Sequence, residues 1–157
     1  MSAPAGYELD TLLPHRNDAL LLDGITAVDD KHLQARLTVR PGTAFSDRQG
    51  TLPAWAGPEI MAQAIAAFSG QRSMRERGRP AAIGLLLGIR SYACTVADFR
   101  CGEMLLIDVR ESSEDEAGRA VFDGTITRDG IVVASGRLTV FQPPDDSFLE
   151  REMAGHG

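Results

Sequence analysis

The alternation of hydrophobic and polar residues predicts two strands in the first part of the chain. From His32 to Val39 the apolar and polar residues alternate strictly, which indicates a strand with one buried face. The earlier apolar run Ala19–Leu22 predicts another strand, which ends near Gly24. An irregular stretch follows from Pro41 to Gly57, where glycines and prolines prevent a long element.

One long helix is predicted from Pro58 to about Arg77. Proline is favourable at the first position because the N–H that it lacks would have no partner inside a helix. Gly78 and Pro80 then end the helix. Apolar side chains cover most of its circumference, so the helix is expected to be buried over about four turns. The apolar positions are Ile60, Met61, Ala64, Ile65, Ala67 and Phe68.

The second half of the chain is strand-like throughout. The predicted strands cover Ala82–Val96, Met104–Arg110, Ala120–Ile126 and Ile131–Phe141. The acidic run Glu111–Glu116 is expected to be a loop, and Asp129-Gly130 predicts a tight hairpin turn. Pro143-Pro144 is expected to end the sheet.

A single helix that is apolar nearly all round, beside about six strands, favours an α+β fold in which an antiparallel sheet wraps one long central helix. The 157 residues suffice for one domain with its own core. We therefore expect a single domain over 1–157, with a short N-terminal segment (1–11) and a C-terminal tail (143–157). Such a sheet leaves edge strands unpaired, and joining two sheets in a dimer is the usual solution.

Charge and composition narrow the possible partners. The net charge of −6, from 22 acidic and 16 basic residues, argues against a nucleic-acid partner, because phosphate binding needs a basic surface. No window is apolar enough for a membrane span and the first residues do not resemble an export signal, so a cytoplasmic protein is expected. Cys94 and Cys101 lack metal-site spacing, which predicts no metal site and two free thiols packed as small hydrophobes.

Glu59 is the most informative candidate for chemistry. It lies in the first turn of the apolar helix, beside the positive end of the helix dipole. Gln63 is four residues further on the same face and can reach its carboxylate. Glu59 is either an ordinary N-terminal acid or half of a buried polar pair. His15 lies in a proline-fixed loop and is either a surface residue or, if it approaches Glu59, one half of a general acid and base pair.

Two motifs then identify a family. Leu13-Pro14-His15-Arg16, with the following Leu20-Leu21-Leu22-Asp23, and Glu59-Ile60-Met61-Ala62-Gln63-Ala64 resemble the opening and central-helix motifs of the hotdog-fold beta-hydroxyacyl-[acyl-carrier-protein] dehydratases. The resemblance covers about Leu12 to Phe141. Within this group, residues 53–59 and 84–90 most resemble the dehydratase-like subunits of aryl polyene biosynthesis clusters.

The resemblance implies a hotdog dimer, either a homodimer or a heterodimer with a second hotdog subunit. It would dehydrate beta-hydroxyacyl thioesters, carried by acyl carrier protein, to trans-2-enoyl thioesters in fatty acid or polyene biosynthesis. It implies no cofactor. The catalytic carboxylate of the family carries over to Glu59 and its neighbouring glutamine to Gln63. The backbone around Trp55, Ala56 and Gly57 is then expected to bind the thioester carbonyl.

One departure from the family leaves the function open. The histidine that the best-known members carry fourteen residues before the helix acid is Phe45 here. We hypothesise that His15 supplies the imidazole instead. The alternatives are a non-catalytic or half-active partner in a heterodimer with a second hotdog subunit, and a hotdog acyl thioesterase that uses the same carboxylate. Four arginines lie at the predicted end of the helix: Arg72, Arg75, Arg77 and Arg79. They either bind an acidic carrier protein or are ordinary solvent-exposed charges at the end of a helix.

Overall fold

The computed structural model describes residues 19–79 and 84–142. Its strands are β1 (Gly24–Val28), β2 (His32–Thr38), β3 (Leu52–Pro53), β4 (Leu85–Cys94), β5 (Asp98–Phe99), β6 (Met104–Glu114), β7 (Arg119–Arg128) and β8 (Ile131–Phe141). Six of them form one antiparallel sheet in the order β1-β2-β6-β7-β8-β4, and β3 pairs with β5 in a small second sheet. Within these residues, β1 and β4 are therefore the edges of the main sheet.

The long helix α1 (Gly57–Arg77) lies against the concave face of this sheet. Pro58 is in its first turn, and Gly78 ends it in the left-handed conformation that glycine adopts without strain (φ 71°). The predicted helix is confirmed, with a start one residue earlier. In the described residues it is the one helix that covers the sheet, so the expected antiparallel sheet around a central helix is confirmed too.

The core lies between α1 and the alternating inward residues of the strands. Leu33, Ala35 and Leu37 of β2 are buried, as the alternation predicted. Phe68 of α1 meets Phe122 of β7 edge-to-face, with ring centroids 5.5 Å apart. Complete burial of each such large apolar side chain stabilises the fold by about 1.5–3 kcal/mol.

The first predicted strand is wrong, because Ala19–Leu22 lies outside the strands and β1 begins at Gly24. Leu21 and Leu22 are buried as expected. However, the backbone groups of Leu20 and Leu21 form hydrogen bonds with side chains and not with a neighbouring strand. The guanidinium of Arg40 donates to the carbonyls of Leu20 (3.0 Å) and Leu21 (3.3 Å). Buried backbone groups need such partners, and here side chains provide them without a strand.

The acidic run Glu111–Glu116 was expected to be a loop, and this is also wrong for its first four residues, because β6 continues to Glu114. Glu111 points inward and is only 7% exposed, since Arg72 and Lys31 neutralise it there. The turn follows at residues 115–118. The hairpin at Asp129-Gly130 is confirmed, with both residues at positive φ (51° and 77°).

Three further predictions concern the cysteines, a membrane span and the ends of the chain. Both cysteines are free, as expected, but Cys101 is exposed and does not pack as a small hydrophobe. No helix of the described residues is long and apolar enough to cross a membrane. His15, the N-terminal segment 1–11 and the tail 143–157 lie outside the described residues.

Candidate functional site

The start of α1 brings together the predicted carboxylate and the turn that precedes it. A short 3-10 turn (Ala54–Ala56) leads into the helix, and the N–H of Gly57 donates to the carbonyl of Ala54. Glu59 follows in the first helical turn and is half-buried. Its carboxylate therefore lies where the helix dipole and the first backbone N–H groups favour negative charge.

Gln63 forms the expected polar pair with Glu59. Its side-chain nitrogen donates to Glu59 Oε1 at 3.2 Å, and the residue is completely buried. The same amide binds the segment before β1, because it also donates to the carbonyl of Ala19 (2.8 Å) and accepts the N–H of Leu21 (2.9 Å). Gln63 thus fixes one oxygen of the carboxylate relative to the N-terminal segment.

The position of the family's missing histidine is occupied by an aromatic pair. Phe45 has a positive φ of 73°, a conformation that costs a bulky residue energy. Its ring meets Trp55 edge-to-face, with centroids 5.5 Å apart. Phe45 is 43% and Trp55 65% exposed, so the pair forms an apolar surface beside the start of α1. Ala56, the residue after Trp55, is buried.

The sequence analysis missed Tyr92, which also contacts this turn. The hydroxyl of Tyr92 donates to the carbonyl of Ala54 at 2.6 Å. The ring lies against Gly57, where any added Cβ would overlap the phenol oxygen. Gly57 has ordinary helical angles (φ −52°, ψ −48°), so it is required by packing and not by backbone conformation. No motif signals this, because the contact joins residues 35 or more positions apart.

Among the described residues, His32 is the one histidine, and it lies away from this site. It is the first residue of β2, before the buried Leu33, and its Nε2 is 2.7 Å from Asp108 Oδ1. Gln34 also donates to Asp108. His32 therefore belongs to a polar network with Asp108 and Gln34 on the sheet. His15, the predicted base, lies outside the described residues, so its distance to Glu59 is not tested.

The arginines at the other end of α1 do not form a free basic patch. Arg72 donates to both oxygens of Glu111 (3.0 and 3.1 Å) and to Glu114 (3.1 Å). Burial works to raise the pKa of Glu111, but the guanidinium of Arg72 and the ammonium of Lys31 hold that pKa below its usual value. Arg75 is 3.5 Å from Asp30. A cavity of about 660 Å³ beside this cluster is lined by charges of both signs.

No group of three or more potential metal ligands occurs within residues 19–79 and 84–142. At the start of α1 the described residues bring together one carboxylate, one buried amide and the polar start of a helix. This arrangement suits general acid or base chemistry next to a developing negative charge.

The chain is similar to known proteins both in sequence and in fold. A family model described as "ApeP-like: ApeP dehydratase" matches residues 7–150. The 3-hydroxyacyl-[acyl-carrier-protein] dehydratase FabZ of Aliivibrio fischeri is 32% identical over 139 residues, which cover 83% of this chain and 88% of the relative.

Solved structures show the same fold. A chain of the dehydratase heterocomplex ApeI:P from Xenorhabdus doucetiae superposes with a TM-score of 0.81 and 34% identity, over 92% of this chain and 97% of that chain. A protein from Streptococcus pneumoniae described as a hypothetical thioesterase, solved with coenzyme A, has a TM-score of 0.57 and 17% identity, over 76% of this chain and 86% of that chain. At that identity the likeness shows the fold alone.

Proposed function

Because the chain belongs to the ApeP-like dehydratase family, whose hotdog fold it shares, we propose that it removes water from 3-hydroxyacyl chains carried by acyl carrier protein. The observation that carries this proposal is the Glu59 carboxylate, which Gln63 holds at the start of the central helix. The resemblance to the hotdog dehydratases of aryl polyene clusters is confirmed at the level of the family.

In this reaction a base removes the α-proton, and the β-hydroxyl leaves with a proton as water. Glu59 supplies or receives one of these protons. The backbone at the start of α1 lies at the positive end of the helix dipole, where it stabilises the negative charge that develops on the thioester oxygen. The N–H of Gly57 already donates to Ala54, so donors for this oxygen come from other N–H groups near Trp55 and Ala56.

The second proton-transfer group in this proposal is His15. Phe45 cannot replace the family's histidine, because a phenyl ring carries no titratable proton. Four peptide units separate His15 from Ala19, a reach of at most about 14 Å. Since the Gln63 amide binds both Ala19 and Glu59, the chain joins His15 to a residue that shares this amide with the carboxylate.

We also propose a second hotdog subunit as partner, bound along β4. This edge strand exposes Leu86 (43%), Leu87 (51%) and Ile89 (37%), and a long apolar edge needs a cover. The similar chain from Xenorhabdus doucetiae belongs to a heterocomplex. A heterodimer, in which this chain acts as a half-active partner subunit, is therefore the second candidate function. The expected cytoplasmic location stays a prediction.

The test measures formation of the conjugated enoyl thioester from a 3-hydroxyacyl carrier protein. The chain is assayed alone and after mixing with a candidate second hotdog subunit. We expect Glu59→Gln and His15→Ala each to reduce kcat by about 10²–10⁴, the usual contribution of a positioned acid or base. Glu76→Gln, in the exposed last turn of the same helix, and His32→Ala are the matched controls and should retain activity.

The outcomes separate the candidates. Activity of the isolated chain that is lost in both site variants supports a complete catalytic site in this chain. Activity that appears only with the second subunit supports the half-active partner. Full activity of His15→Ala rejects the imidazole proposal, full activity of Glu59→Gln rejects the dehydratase site, and release of free acid and thiol indicates a thioesterase.

A further inference from the structure

The edge strand β4 carries an irregularity opposite a single glycine of β8. Arg90 pairs with Arg137 and Ala93 with Ser135, so two residues of β4, Ser91 and Tyr92, face the one residue Gly136. This is the pattern of a β-bulge. Ser91 adopts a positive φ of 59° within it, although it is not a glycine. Such strained bulges persist where the surrounding structure requires them, and they re-aim side chains next to functional sites.

The bulge directs the ring of Tyr92 into a space that two glycines leave open. A Cβ on Gly136 would lie 3.3 Å from the ring, and a Cβ on Gly57 would overlap the phenol oxygen. At the end of this space the hydroxyl donates to the carbonyl of Ala54. That carbonyl also accepts the N–H of Gly57, so Tyr92 contacts the backbone that leads into α1.

From this geometry we infer that Tyr92 is a positioning residue, which fixes the Ala54–Gly57 turn and thereby the start of α1 for the reaction. The inference rests on the proposed function, since it assigns the turn a place beside the reacting thioester. Burial raises the pKa of the Tyr92 hydroxyl, so the hydroxyl keeps its proton and remains a donor at the pH of any ordinary assay. Because β4 is also the edge proposed to bind the second subunit, Tyr92 links that edge to the site.

Trp55 makes the inference testable without catalysis, because it is the single tryptophan of the chain and lies inside the turn. Tyr92→Phe keeps the ring and removes the hydrogen bond. We expect lower fluorescence anisotropy and stronger acrylamide quenching of Trp55 in this variant. We also expect kcat to fall about tenfold or more with KM changed less than about threefold, since small displacements of catalytic groups act mainly on the chemical step.

Two further variants complete the design. Thr95→Val is the matched control, because it removes a hydroxyl just beyond β4 that donates to Val133 (3.3 Å), outside the turn. It should leave both readouts unchanged. In Gly57→Ala the added methyl group would overlap the phenol oxygen of Tyr92 and displace it from Ala54. This variant should therefore reproduce the effects of Tyr92→Phe on anisotropy and on kcat.

Unchanged Trp55 fluorescence in Tyr92→Phe overturns the inference. So does unchanged kcat in an assembly whose Glu59→Gln variant is inactive. Equal losses in Thr95→Val also overturn it, because they would indicate a general effect of lost stability. Full activity of Glu59→Gln instead refutes the proposed function, and the Trp55 fluorescence then decides alone whether Tyr92 fixes the turn.

Discussion

Replacing Gln63 by methionine tests whether one buried amide holds the N-terminal segment and the carboxylate together. Methionine has a similar length and fits a buried site, but it cannot make the three hydrogen bonds of the amide. The N–H of Leu21 then has no partner, and because Leu21 is completely buried, water cannot replace the lost acceptor. The carbonyl of Ala19 and the carboxylate of Glu59 are partly exposed, so water can reach them.

The expected loss follows from these environments. A buried donor without a partner costs about 1–3 kcal/mol, and the two groups that water can reach add little. We therefore expect Gln63→Met to lower the free energy of unfolding by about 2 kcal/mol. For a chain of this length, that corresponds to a decrease in Tm of about 4–8 °C. Urea and thermal unfolding followed by circular dichroism, at one protein concentration for all variants, measure both quantities.

Gln71 provides the matched control on the same helix. It is nearly as buried, at 6% exposure, but its side-chain oxygen has no hydrogen-bond partner among the described residues. Gln71→Met removes an unsatisfied polar group and should be neutral or slightly stabilising. If both methionine variants lose the same stability, the amide of Gln63 is not a specific anchor and the reasoning is refuted.

Two other predictions concern the charged cluster and the sheet edge. Glu111→Gln should lower the free energy of unfolding by about 2 kcal/mol at neutral pH, because it weakens charge-assisted hydrogen bonds from Arg72. The wild type should lose this advantage as the pH falls below 4.5, the ordinary pKa of Glu111, because the folded state lowers that pKa; acid-induced unfolding that is identical in both proteins would contradict this. Leu87→Glu should weaken binding of the second subunit at least about tenfold by sedimentation, because charge on an edge strand opposes pairing. Ile131→Glu changes an apolar residue outside β4 that is even more exposed than Leu87 (66% against 51%), and it should leave this binding unchanged. Equal effects of the two variants would argue against β4 as the interface.

The sequence predicted those features that depend on local patterns. The strict alternation of β2, the proline and glycine that bound α1, and the hairpin at Asp129-Gly130 are all present as expected. The pairing of Glu59 with Gln63 also followed from helical spacing alone.

The predictions are wrong or incomplete where side chains from distant parts of the chain determine the local structure. Ala19–Leu22 is apolar like a strand, but Arg40 and Gln63 bind its backbone. Glu111 belongs to a strand because Arg72, 39 residues earlier, neutralises it. Tyr92 could not be assigned, since a bulge changes the face on which a side chain lies and leaves no mark in the alternation.

Polar side chains tether the central helix at both ends. Gln63 binds it to the segment before β1, and Arg72 binds it to β6 and to the carbonyl of Asp30. Sliding of α1 along its axis would break the hydrogen bonds of Gln63 and of Arg72 together, so these bonds hold the helix in one position relative to the sheet. Any movement of the Glu59 carboxylate along the helix axis must therefore also break the hydrogen bonds that Arg72 makes near the other end of the helix.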